Sequence, residues 1–116
     1  MGGDEVHEVI DNLRAEGVQS DERFTEAFVH NRIDRGYGPL RISQELQQRG
    51  VLDTLISRFI YVEGLDWRQH AREAREKRFG KPLPTDYKDR AKQSRFLQSR
   101  GFSSEQIRQL FRLGDE

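Results

Sequence analysis

The chain has 116 residues, of which 34% are charged and 34% apolar; 20 basic side chains balance 20 acidic ones, and there is no cysteine. That length holds one compact domain or a short array of small units, and so polar a chain can build only a thin core of one helix layer on another. Disulfides and thiolate metal sites are excluded, no apolar run approaches the ~18 residues of a membrane span, and no charged-then-apolar leader opens the chain, so a soluble, cytoplasmic protein is expected.

In chain order, the pattern predicts helices stopped by glycines. A helix over 4–17 ends at Gly17-Val18, with Leu13 placed to clasp Val18. Ser20, followed by Asp21 and Glu22, reads as the next N-cap, and Phe24, Ala27 and Phe28 as the buried stripe of a helix ending at Gly36. Gly38-Pro39 opens a helix with proline at its first position, carrying Ile42 and Leu46 inward and closing at Gly50-Val51. Asp53 caps a helix with Leu52, Leu55, Ile56 and Phe59 on its apolar side and a stop at Gly64-Leu65, clasped by Ile60. Asp66 caps the segment with Trp67, Ala71 and Ala74, which ends at Gly80; Thr85 caps the one closing at Gly101-Phe102, clasped by Leu97. "SSEQ" (Ser103 to Gln106) is a capping box before Ile107, Leu110 and Phe111, and Gly114 is the last stop. Nothing alternates with period two, so the expectation is seven helices and an all-α fold.

The punctuation recurs. "LQQRG", ending at Gly50, returns 51 residues later as "LQSRG", ending at Gly101, and the other stops repeat at 44 to 50 residues. A period of about 48 residues carrying three helices is a helical repeat whose units bury their faces partly on one another. The expected division is three-helix units over 20–64 and 65–116, the latter with a C-terminal tail, preceded by 1–19 as the last helix of a truncated earlier unit. Met1-Gly2-Gly3 reads as an artificial start. The shape expected of such tandem three-helix repeats is an elongated, curved array.

The neutral total conceals an asymmetry. Residues 1–26 hold eight acids and two bases, a balance of −6; residues 67–100 hold eleven bases and four acids, a balance of +7. Arg68, Arg72 and Arg75, with Lys77 or Arg78 beyond, fall on one helical stripe, and Lys88, Arg90, Lys92, Arg95 and Arg100 follow. Such a run is either a solvated face or a surface for a polyanion or an acidic protein. Tyr37, between two glycines and flanked by Arg35 and Arg41, either fixes a helix corner or contacts a partner. His7, His30 and His70 form no ligand set, "GYG" lacks the spacing and lysine of a phosphate loop, and the serines show no partnered His–acid pattern. Catalysis is not expected.

Three stretches, "RGYGPLRISQELQQRG", "DWRQHAREAREKRFG" and "RFLQSRGFSSEQIRQLF", resemble the successive signatures of the bacterial RecX family, regulators of the RecA recombinase. The likeness runs from about Val6 to Leu113. It implies tandem three-helix units, typically three, and a non-enzymatic, cofactor-free, monomeric protein. It also implies binding along the groove of the RecA–DNA filament, with inhibition of recombinase, ATPase and coprotease activity in DNA repair and recombination. The expected partner-binding residues are Arg35, Tyr37, Arg41, Arg68, Arg72, Arg75, Lys77, Arg78, Arg95 and Arg100. A weak contact to single- or double-stranded DNA accompanies this reading. From the residues alone a helical module acting directly on nucleic acid stands level with it; the resemblance decides for the regulator.

Overall fold

The computed structural model describes residues 14–115, with side chains from 21 to 112. Six helices account for their regular structure: α1 (Arg14–Asp34), α2 (Pro39–Gln48), α3 (Asp53–Ile60), α4 (Trp67–Phe79), α5 (Tyr87–Ser99) and α6 (Ser104–Asp115). Helices α1, α2 and α3 pack on one another, as do α4, α5 and α6. The body measures 59 × 28 × 19 Å with a radius of gyration of 17.5 Å, whereas a compact chain of this length has about 13 Å. It is an elongated all-α array.

The core follows the helical period. Ile42 and Leu46 of α2, Ile56 and Ile60 of α3, Trp67, Ala71 and Ala74 of α4, and Ile107, Leu110 and Phe111 of α6 are buried in one cluster. Trp67 also joins the two units, its indole N–H donating to the Ile60 carbonyl at 2.8 Å. That bond satisfies an acceptor that the end of α3 would otherwise leave open.

Several boundaries carry the expected chemistry. Asp66 accepts from the Arg68 and Gln69 amides, and Ser103 and Gln106 exchange the two hydrogen bonds of a capping box. α2 and α5 close identically: Gly50 N–H donates to Gln47 and Val51 N–H to Leu46, while Gly101 N–H donates to Gln98 and Phe102 N–H to Leu97. Both glycines have positive φ, 85° and 100°, which an L side chain enters only with strain.

Other expectations are corrected. α1 runs unbroken through Gly17 and Ser20, and α6 through Gly114, so Gly17 and Gly114 are not stops and Ser20 is not a cap. Glycine in a helix costs about 1 kcal/mol against alanine but leaves the hydrogen-bond ladder intact. Residues 4–13 of the expected first helix, and so most of the unit assigned to 1–19, lie outside the described residues. The buried stripe of α1 is Thr25, Phe28 and Val29, while Phe24 is exposed. Phe28 is the pivot, its ring flanked by the guanidinium groups of Arg32 and Arg49 at 4.3 and 5.0 Å. Gly64 belongs to a turn beyond α3, where Leu65 N–H donates to Val62, so it does not close the helix with the bonds seen at Gly50 and Gly101. Asp53 lies inside α3 behind Leu52 at the N-cap, and Asp86 replaces Thr85 as the cap of α5, accepting from the Asp89 amide at 2.7 Å.

Candidate partner-binding surface at the inter-unit junction

The stretch Arg35 to Arg41 builds the junction between the units. Arg32 and Ile33 carbonyls close α1 by accepting from Tyr37 and Gly36, and the chain turns back to start α2 at Pro39. The start of α2 then meets the end of α5 head to tail. Gly38 N–H donates to the Arg100 carbonyl at 2.7 Å, and Leu40 N–H donates to the Gly101 carbonyl at 2.9 Å. Donors left open at one helix N-terminus thus satisfy acceptors left open at another helix C-terminus, with the two dipole ends of opposite sign in contact. The backbones approach so closely that a Cβ on Gly38 would lie 2.6 Å from the Gly101 carbonyl, and one on Gly101 2.4 Å from the Arg41 Cβ.

Side chains lock this contact. Arg41 donates to the Ser99 carbonyl and Arg100 to the Arg35 carbonyl, each at 3.4 Å. The half-buried Tyr37 ring lies between the two guanidinium groups, 4.6 Å from Arg41 and 4.9 Å from Arg100. Glu45 accepts from Arg41 at 3.3 Å and from Arg32 at 2.9 Å. Partial burial would raise the Glu45 carboxyl, but the hydrogen bonds from Arg32 and Arg41 outweigh it and hold the group below its ordinary range. Of the two roles open to Tyr37, this geometry supports the corner-fixing one.

The +7 stretch does not form one stripe. Lys77 and Arg78 of α4 line a cleft of about 300 Å³ at the junction together with Arg35, Arg100, Gly36, Ala74 and Phe96. Arg68 and Arg72 line a different cleft, of about 250 Å³, with Asp66, Gln69, Glu76, Lys81, Leu83 and Leu110, and the buried Arg75 at its wall. Arg95 is exposed on α5, as are Lys88 and Lys92, while Arg90 lies over the Phe111 ring at 4.9 Å.

Arg75 requires the firmest correction. Expected on the solvated stripe, it is only 1% exposed. Its guanidinium donates to the carbonyls of Lys81 and Pro82 at 3.0 and 3.3 Å and to the Gln93 side chain at 3.2 Å. It therefore ties the loop after α4 to α5, with peptide dipoles rather than a carboxylate solvating the charge. It is removed from the partner-binding set.

Three contributors escaped the sequence reading: Glu45, which holds Arg41; Gln93, which receives Arg75; and Phe96, whose ring meets Phe79 edge-on at 5.3 Å and carries Arg78 and Arg100 at 5.5 and 5.0 Å. Phe96 directly precedes Leu97 in the "RFLQSRG" stretch, and that adjacency to a helix stop was the available signal. Among the described residues no group of three His, Asp or Glu side chains could hold a metal ion, and no helix is long and apolar enough to cross a membrane.

Comparison with known proteins agrees with these elements. The family model for the second three-helix domain of RecX matches residues 20–58, and that for the third matches residues 66–111. The regulatory protein RecX of Halorhodospira halophila is 44% identical over 111 residues, covering 96% of this chain and 69% of the relative. That of Chromohalobacter salexigens is 46% identical over 105 residues, 90% of this chain and 68% of the relative, and that of Pseudomonas fluorescens strain Pf-5 is 39% identical over the same shares. With both matched domains spanning the two packed helix triplets and the glycine-bound junction between them, the chain belongs to the RecX family of regulatory proteins.

Proposed function

We propose that this chain is a cytoplasmic, monomeric regulator that lies along the groove of the RecA–DNA filament and restrains strand exchange, ATP hydrolysis and coprotease activity. What carries the reading is membership of the RecX family in a body that displays its cations along an elongated frame. A long, narrow protein with two basic clefts suits a polymeric, negatively charged partner better than a small ligand. The units are taken as 20–64 and 65–116. Arg35, Arg41, Arg68, Arg72, Lys77, Arg78, Arg95 and Arg100 supply the contact surface, while Tyr37 holds the junction in place.

The test is a titration of RecA–single-strand filaments, read by strand exchange and ATP hydrolysis. The double reversal Arg68→Glu/Arg72→Glu leaves the buried Arg75 untouched, so the fold is expected to survive, because exposed charges contribute little to stability. Filament affinity should fall at least tenfold, which needs only about 1.4 kcal/mol. The loss should lie mainly in the on-rate and shrink as salt rises. A parent protein that leaves both RecA activities unchanged at saturating concentration would refute the reading.

A further inference from the structure

The junction cleft is lined by Arg35, Lys77, Arg78 and Arg100; among the described residues no carboxylate lines it, and the acids Asp34 and Glu73 line the adjoining cleft that shares Lys77. Like charges gathered this way repel one another, and an anion relieves the repulsion. The cations come from different places in the chain: Arg35 just past α1, Lys77 and Arg78 from the last turn of α4, and Arg100 at the end of α5. The cleft therefore exists only while the two units are docked.

Two of the four are held in place before any ligand arrives. Arg100 lies over the rings of Tyr37 and Phe96 and spends one N–H on the Arg35 carbonyl, leaving the rest of its donor fork available. Arg78 lies over Phe96 and Phe79. Positioned guanidinium groups lose little freedom on binding and match phosphate oxygens in geometry.

We infer that this cleft is a phosphodiester site, through which the protein contacts the nucleic-acid backbone. The inference deepens the filament reading and rests on it for its setting, by assigning this cleft to the DNA rather than to the recombinase. A partner held by main-chain pairing, as a peptide strand is, finds little to bind here. The Gly36 N–H is already spent on Ile33, and the Arg35 carbonyl already accepts from Arg100. Among the described residues the remaining lining, Ala74 and Phe96, offers no side-chain hydrogen-bonding group. Such a cleft reads charge and not base sequence.

The experiment is fluorescence anisotropy of a labelled thymidine oligonucleotide, single-stranded and as a duplex, against the full chain over a range of salt. Lys77→Glu/Arg78→Glu is compared with Arg68→Glu/Arg72→Glu, and all proteins are checked by circular dichroism and melting. The parent should bind with a steep salt dependence. Reversal at Lys77 and Arg78 should weaken binding at least tenfold and reduce the single-strand slope of log K against log salt by about 1.4, at ~0.7 per phosphate. Reversal at Arg68 and Arg72 should cost clearly less. The inference is overturned if the parent ignores both oligonucleotides at low salt, if folded Lys77/Arg78 reversals bind as the parent does, or if the two reversals weaken binding equally. It is also overturned if polyglutamate of matched charge displaces the oligonucleotide as well as unlabelled DNA does, which would assign the cleft to an acidic protein surface. The RecA assays separate the two readings: oligonucleotide binding without RecA inhibition leaves the cleft standing and removes the filament, and inhibition without oligonucleotide binding does the reverse.

Discussion

Gly50 and Gly101 close equivalent helices with the same bonds and nearly the same φ, yet their replacement by alanine should differ sharply. At Gly50 an added Cβ meets nothing within 4 Å, so Gly50→Ala incurs only left-handed strain, about 1–2 kcal/mol. At Gly101 the same Cβ would lie 2.4 Å from the Arg41 Cβ and 2.6 Å from the Arg41 amide nitrogen, so α2 must retreat from α5. Retreat endangers the Gly38–Arg100 and Leu40–Gly101 backbone bonds, each worth about 0.5–1.5 kcal/mol. Adding these to the strain gives about 2–5 kcal/mol for Gly101→Ala. Urea and thermal unfolding of the two variants, followed by circular dichroism, should place Gly50→Ala modestly below the parent, by about 1–2 kcal/mol, and Gly101→Ala further below, by about 2–5 kcal/mol. Amide hydrogen exchange at Gly38 and Leu40 should accelerate in Gly101→Ala alone. Equal losses of stability, or unchanged exchange at Leu40 in Gly101→Ala, would show that the close backbone approach does not hold the units together.

Other outcomes follow from the same contacts. Arg75→Glu should fail to fold or unfold at much lower temperature, because it sets a buried carboxylate against the Lys81 and Pro82 carbonyls; Arg75→Met, which keeps much of the packing, should cost about 3 kcal/mol or less by urea melts. Glu45 is lowered in the folded state, so its contribution to stability is present above its ordinary value of 4.5 and is lost as pH falls below that toward the folded value. Glu45→Gln should therefore destabilise at neutral pH and flatten the acid limb of a melting-temperature profile; an unchanged acid limb would remove the Arg32–Glu45–Arg41 network from the junction's support. The charge reversals at Arg68/Arg72 and Lys77/Arg78 complete the set, with RecA titration and oligonucleotide anisotropy as their readouts.

By itself the sequence determined what local backbone chemistry controls. The Ser103–Gln106 box, the Asp66 cap, Pro39 at the start of α2 and the closures at Gly50 and Gly101 all depend on residues within a few positions of one another, so they were legible. The resemblance, carried by those same stretches, also anticipated the family. Tertiary structure decided the rest. Gly17 looks like a stop beside Gly50, but α1 continues through it, because helix propensity is a weak preference that wider context overrides. Arg68 and Arg75 share a charge and a helical side, yet one is exposed and the other buried, since carbonyls beyond α4 and a glutamine 18 residues away fold over Arg75 alone. Lys77 and Arg78 turn away from Arg68 and Arg72 into a second cleft whose other walls come from Arg35 and Arg100. Which cations share a surface depends on how the helices pack across distances in sequence that no local pattern encodes.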